Sequence, residues 1–181
     1  MGTSIPARHP LRQLFGALTE KTFTEHLGWP DLNVTTYVTN LLVEFTRTDE
    51  LFKIRNRQGQ PVDSVVDLLF ESEVLLEAQS LDRERHVHQH IGDFTLFMTG
   101  IFRERVERTA SVGYYVGQGK RAYQFVSEHG RATSRAEAAA AAPLFRRLAD
   151  RFEGYAGALD YTRRVYFADH PAHPFFQLRF G

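Results

Sequence analysis

Residues 80–102 read SLDRERHVHQHIGDFTLFMTGIF, and this stretch decides the fold. Its first half is charged, whereas its second half is almost entirely apolar. Five apolar residues recur at intervals of three, four and seven, the spacing of one helix face: Val87, Ile91, Phe94, Met98 and Ile101. A helix that is apolar nearly all round is usually buried. The pattern therefore predicts one helix that starts in solvent and ends in the core, at the centre of the molecule.

A second stripe along the edge of this core face carries His86, His90 and Asp93, while His88 points to the opposite side, where we expect solvent. Two imidazoles at i and i+4, with a carboxylate one turn on, are a ligand set for a divalent metal ion, to which Glu44 or Glu73 could be added. The stretch lacks the Glu of H-E-x-x-H and the paired E-x-x-H repeats of di-iron bundles. Three interpretations stay open: a buried hydrogen-bond network, a metal site and an acid–base site.

The helices expected around this stretch follow from the same periodicity and from capping residues. They cover residues 10–27, 32–50, a short piece after Asp63, the charged connection 103–111, residues 111–130, a short helix or turn over the alanine run 136–142, and 143–168. Neither an alternating strand pattern nor an internal repeat is evident. The sequence therefore predicts an all-α, single-domain bundle of six or seven helices over residues 1–181.

Glycines inside these helices have a packing interpretation. Gly92 and Gly100 each cost about 1 kcal/mol relative to Ala, which the close approach of another backbone would offset. Gly117 and Gly119 belong to a Gly-Gln-Gly-Lys sequence that is not a phosphate loop, because the spacing is wrong and no strand precedes it. We expect these two glycines to permit close packing against the central helix.

A pocket between helices is a further possibility, with Tyr37, Glu44, Tyr115 and Tyr123 as lining residues beside the histidines. Glu44 lies at the margin of an apolar stripe, on the same side as Tyr37. A carboxylate there could reach the histidines if the two helices pack together, or it could simply be solvated. Periodicity does not distinguish such a pocket from a well-packed core.

Composition narrows the class of protein. Lys plus Arg and Asp plus Glu both number 22, so the basic excess of a general nucleic-acid binder is absent. The chain has no cysteine and lacks the apolar run of a signal peptide or a membrane span, which favours a cytoplasmic protein without a membrane partner. Residues 1–9 are expected to be a loose arm. The aromatic tail over 170–181 needs cover from its own core or a partner.

Several of these residues also carry a resemblance: the sequence HIGD from His90 to Asp93, Leu96-Phe97, Gly100, Phe102, Tyr114-Tyr115, Gly119, Ala122-Tyr123 and Pro143-Leu144-Phe145. Together they resemble a family of uncharacterised bacterial all-helical proteins, over roughly residues 30–168. The resemblance implies an all-α fold and a bacterial cytoplasmic setting. It implies no activity, cofactor or catalytic residue.

Two hypotheses for function follow. The first is a non-enzymatic binding or regulatory protein that acts as a homo-oligomer, because no catalytic motif is present and the apolar tail needs a partner surface. The second is a metal-dependent enzyme or metal-binding protein that uses His86, His90 and Asp93.

Overall fold

The computed structural model of the chain describes residues 6, 8–56, 58–70 and 81–168. Of the arm predicted over residues 1–9, only positions 6, 8 and 9 belong to these ranges; the tail over 170–181 and Glu73 lie outside them. The described ranges contain helices and one isolated bridge between Arg55 and Pro61, but no strand. The all-α class is therefore confirmed.

The N-terminal part forms four short to medium helices. They are α1 (Pro10–Lys21), which continues into a π-helical turn (Thr22–His26), α2 (Leu32–Glu44), α3 (Thr48–Leu51) and α4 (residues 65–70). The Asp31 carboxylate caps α2 by accepting hydrogen bonds from the backbone N–H groups of Asn33 and Val34, as its position after Pro30 predicts. The helix expected over 32–50 is therefore two helices, with a turn over residues 45–47 between them.

The central helix is α5 (Leu81–Ile101). Every residue from His90 to Ile101 is buried, while the first three residues of the helix are exposed, so the predicted passage from solvent into the core is confirmed. It packs most extensively on α7 and α9 and also contacts α2 and α6. The nearest neighbours of its two glycines are side chains rather than the backbone that was expected: the ring of Tyr123 lies against Gly92 and the side chain of Leu159 against Gly100.

The C-terminal part contains α6 (Arg103–Thr109), α7 (Val112–Ala132), α8 (Ala136–Asp150) and α9 (Phe152–Tyr166). The predicted single helix over 143–168 is wrong, because the chain turns at Arg151 (φ −117°, ψ 20°). This turn lets Phe152 and Tyr155 enter the core beside Trp29, whose indole stacks under the Arg151 guanidinium at 4.7 Å.

The alanine run is the start of α8, not a separate turn, and Pro143 lies inside the helix. Pro143 is exposed, so water can satisfy the carbonyl that loses its helical N–H partner. On the other side of the helix, the Ser127 hydroxyl donates to the Ala142 carbonyl at 2.8 Å and Gly130 lies against Ala138. These contacts with α7 hold α8 helical through the proline.

The described residues thus contain nine α-helices rather than six or seven, and six of them have twelve or more residues. Their buried apolar side chains form one cluster that includes residues from α1 to α9. No helix within the described ranges is long and apolar enough to cross a membrane.

Candidate functional site

The Asp93 carboxylate lies at the meeting point of three helices. Its Oδ1 accepts hydrogen bonds from the Tyr37 hydroxyl of α2 at 2.7 Å and from the Tyr123 hydroxyl of α7 at 2.8 Å. The Tyr37 hydroxyl in turn accepts from the Gln89 amide at 3.1 Å. Gly92 makes this arrangement possible, because a Cβ there would lie 2.5 Å from the Tyr123 ring. We refer to Asp93, Tyr37, Tyr123 and Gln89 as the Asp93 cluster.

Burial determines the charge state of the Asp93 cluster. Asp93 is 6% exposed, and its burial raises the pKa of the carboxyl from 3.8 to about 6, although both tyrosine hydroxyls lower it. Burial, together with the charge of Asp93, likewise raises the pKa of both phenols, so they remain hydrogen-bond donors. At neutral pH the carboxylate is therefore mostly ionised, without a cation within ion-pair distance among the described residues.

His90, one turn before Asp93, is a neutral core residue. It is 1% exposed, and the rings of Phe45 and Phe94 lie 5.8 and 6.2 Å from its own. Burial lowers its pKa to about 3, with Lys53 and His86 adding to the effect and the nearby backbone of Leu51 opposing it. Neither ring nitrogen completes a hydrogen bond with a described residue. Such a residue destabilises the fold when it is protonated.

The predicted metal ligands do not converge. His86 is exposed, and its pKa is lowered by partial burial and by the cations Lys53, Arg85 and Arg83. Asp93 turns to the tyrosines rather than to either imidazole. No group of three His, Asp or Glu side chains in the described parts of the chain is placed to hold one metal ion. Asp93 does belong to a buried hydrogen-bond network, as one of the three interpretations has it, but its partners are the two tyrosines and not the imidazoles.

The four predicted pocket residues separate into three locations. Tyr37 and Tyr123 meet at Asp93. Glu44 is exposed on the last turn of α2, and its negative charge, like burial, raises the pKa of Asp93. Tyr115 is half-buried beside Arg105, on another face of the molecule. One pocket lined by all four residues is therefore not formed.

A groove of about 750 Å³ runs between α2 and α8, with Tyr37 among its lining residues. Its α2 side carries Asn33, Thr36 and Asn40, and its α8 side carries Ala140 and Ala141 between Glu137 and Arg147. The ring of Tyr37 packs edge-on against Phe145 at 5.4 Å while its hydroxyl reaches Asp93. Tyr37 therefore connects the groove with the Asp93 cluster, and we refer to this surface as the α2–α8 groove.

A second concave surface lies where α4 meets α6 and α7. This cleft of about 330 Å³ has Met98 of α5 among its lining residues and is bordered by Asp63, Arg105 and Tyr115. Val66, Phe70 and Tyr114 are 60%, 63% and 40% exposed. Val66 and Tyr114 line the cleft, and Phe70 follows Val66 by one helical turn. We refer to these three side chains as the α4–α7 patch.

A polar cluster on the opposite side of α5 was not expected from the sequence. Glu84 is 5% exposed, and its burial raises the pKa of the carboxyl. His88, predicted to be solvated, instead packs on Phe125 of α7 with ring centroids 4.1 Å apart, and burial lowers its pKa to about 4. In the sequence, Glu84 and His88 are four residues apart and therefore lie on one side of the helix, next to the core residue Val87. Only the packing of α7 shows that this side of α5 is covered.

Comparisons with protein-family models, with curated proteins and with solved structures found no match for the chain.

Proposed function

We propose that this chain is a non-enzymatic binding or regulatory protein that acts as a homodimer, in the bacterial cytoplasmic setting that the sequence resemblance implies. The observation that carries the proposal is the α4–α7 patch. Large apolar side chains exposed next to one another around a recess are typical of protein interfaces. Here Val66 and Tyr114 line a cleft that also has Met98 in its lining, and Phe70 lies one helical turn after Val66.

A second copy of the chain fits this surface because protruding and recessed features occur on the same face. In a two-fold interface the same patch is used by both subunits, so it must complement itself. The α4–α7 patch supplies protruding side chains, and the adjacent cleft supplies a recess. Asp63 and Arg105, of opposite charge, border the same cleft, so a two-fold axis can bring unlike charges together.

The charge balance supports a protein partner rather than nucleic acid. Formal net charge is zero, and phosphate recognition requires a basic surface. The alternative of a metal-dependent enzyme gains no support from the placement of His86, His90 and Asp93. Self-association therefore remains the better-supported of the two hypotheses.

Sedimentation equilibrium of the wild-type chain and of Phe70→Ser tests the proposal. Fully burying a Phe side chain stabilises by about 1.5–3 kcal/mol, so burying the exposed 63% of Phe70 is worth about 1–2 kcal/mol per subunit. A symmetric dimer loses this contribution twice, and the dimer dissociation constant is expected to rise about 30- to 1,000-fold.

Leu32→Ser is the matched control, because Leu32 is 78% exposed but lies outside the α4–α7 patch. It should leave the dimer dissociation constant unchanged. Truncation after residue 168 examines the predicted tail separately. A wild-type chain that is monomeric at all accessible concentrations would contradict the proposal, as would an equal effect of Phe70→Ser and Leu32→Ser.

A further inference from the structure

The C-terminal end of α9 lies beside the helix that forms one wall of the α4–α7 cleft. Arg163, on the last turn of α9, has its Nη1 3.6 Å from Oε1 of Glu104 in α6. One turn earlier, the side chain of Leu159 lies against Gly100 at the end of α5. The same helix α6 supplies Thr109 to the lining of the cleft. The chain therefore leaves α9 next to α6, close to the α4–α7 patch.

Residues 169–181, which follow, are long enough to pass α6. An extended chain advances about 3.3 Å per residue, so the stretch from residue 168 to Phe175 spans up to about 23 Å. A helix as short as α6 is about 10 Å long and, with its side chains, about 10–12 Å wide. Pro171 and Pro174 disfavour helical continuation, which favours the longer, extended spacing. The segment from Phe175 onwards is therefore within reach of the far side of α6.

The composition of this segment matches the α4–α7 patch in two respects. Its large apolar residues are concentrated near its end, as the patch requires of an apolar partner: Phe175, Phe176, Leu178 and Phe180. Its single Lys or Arg residue is Arg179. Asp63, which borders the cleft, is exposed and forms no ion pair with a described residue. An apolar surface flanked by a carboxylate thus faces an apolar segment that carries a cation.

Other apolar surfaces in the described ranges offer single side chains. The remaining large apolar residues that are exposed each lie on a different helix: Leu14, Leu32, Leu81 and Val165. By contrast, Val66 and Tyr114 line one cleft, and Phe70 follows Val66 by one helical turn. Because apolar stabilisation grows with the area removed from water, a segment with several apolar side chains gains most where it covers several at once.

We propose that residues 169–181 dock on the α4–α7 patch of their own chain, with their Phe and Leu side chains against the patch and Arg179 beside Asp63. The docked segment competes with a second copy of the chain for this surface. The competition rests on the proposed homodimer, whereas the docking does not. A short tether holds a segment at an effective concentration on the order of millimolar, so the docked segment opposes dimerisation until it is displaced.

Disulfide trapping tests the docking directly, because the chain has no cysteine of its own. The variant Thr109→Cys/Gln177→Cys places one thiol in the cleft wall and the other between the apolar residues of the segment. The matched control is Ala17→Cys/Gln177→Cys. Ala17 is exposed on α1, one turn before Lys21, whose ammonium lies 5.6 Å from the ring of Tyr166 at the end of α9. The control thiol is therefore also within reach of the segment but lies outside the patch.

Under mild oxidation at low protein concentration, the Thr109 pair should form an intrachain disulfide about tenfold faster than the Ala17 pair, because docking raises the local concentration of the second thiol. Non-reducing electrophoresis separates the products. Equal rates for the two pairs overturn the proposal, since the segment then has no preference for the cleft. A covalent dimer as the main product of the Thr109 pair also overturns it, because the segment then reaches the patch of a second copy.

Sedimentation equilibrium of the full-length chain tests the competition. The variant Phe175→Ser/Phe176→Ser/Phe180→Ser removes the apolar contacts without shortening the chain, so its dimer dissociation constant should fall about tenfold below that of the wild type. An unchanged or raised constant overturns the competition. If the wild type and this variant are both monomeric while the Thr109 pair still closes within one chain, the homodimer is wrong and the docking stands.

Discussion

The ionised carboxylate of Asp93 should destabilise the folded protein at neutral pH, and the variant Asp93→Asn measures by how much. The unfolded chain has an Asp pKa of 3.8, and burial raises the folded value to about 6. The folded state therefore binds the proton more tightly. The stability that Asp93 contributes is fully present below pH 3.8 and is lost as pH rises through about 6.

The magnitude follows from the two pKa values. One pKa unit corresponds to about 1.36 kcal/mol, so ionising Asp93 in the folded state costs about 3 kcal/mol of unfolding free energy. Asn is nearly isosteric with Asp, and its carbonyl oxygen can still accept from the hydroxyls of Tyr37 and Tyr123. It carries no charge at any pH. The difference in unfolding free energy between the variant and the wild type should therefore depend on pH.

Urea denaturation of both proteins between pH 4 and pH 8, followed by circular dichroism, gives this difference directly. Relative to the wild type, Asp93→Asn should gain about 2 kcal/mol between pH 4 and pH 8, with most of the change occurring between pH 4 and 6. Using the difference removes the contribution of His88 and His90, which is the same in both proteins. A difference that stays constant across this range would mean that Asp93 has the same pKa in the folded and unfolded states, and would contradict the raised pKa.

Two further predictions concern the interior of α5. His90→Leu should make the protein less sensitive to acid. Because the folded pKa of His90, about 3, lies below the usual 6.5, the wild type loses stability as pH falls below 6.5, by up to about 5 kcal/mol at low pH. Acid unfolding followed by fluorescence should therefore show a lower midpoint pH for the variant. Gly92→Ala should destabilise by about 1–3 kcal/mol, because its Cβ would lie 2.5 Å from the Tyr123 ring. The control Gly117→Ala in α7 has no atom within 4 Å and should gain up to about 1 kcal/mol, so equal melting temperatures for the two variants would contradict this account.

The course of α5 was predictable because hydrophobic periodicity is a local property of the chain. The change from charged to apolar residues within 80–102 alone predicted a helix whose second half is buried, and His90 to Ile101 are all buried. The cap at Asp31 was predictable for the same reason, since a cap and the N–H groups that it satisfies lie within one turn.

Helix boundaries that depend on distant contacts were not predictable. Local preference places a helix end before Pro143, yet the contacts of α7 with Ala138 and Ala142 keep α8 helical through it. The turn at Arg151 likewise depends on a distant contact. It lets Phe152 and Tyr155 enter the core, where Tyr155 packs against Trp29. Gly119 packs against α5 as expected, and also against Phe152 of α9, whereas Gly117 faces open space, because the rotation of α7 decides which glycine meets a neighbour.

The residue pattern alone specifies that this chain is helical, that α5 passes from solvent into the core, and that polar groups lie along the edge of its core face. The partners of those groups depend on how the helices pack. Tyr37 and Tyr123 come to Asp93 from 56 and 30 residues away in the chain. The pairing turns Asp93 to the two tyrosines rather than to His86 and His90. The physical reason is that periodicity specifies which face of a helix is buried, whereas the partner of a buried polar group depends on how the helices pack.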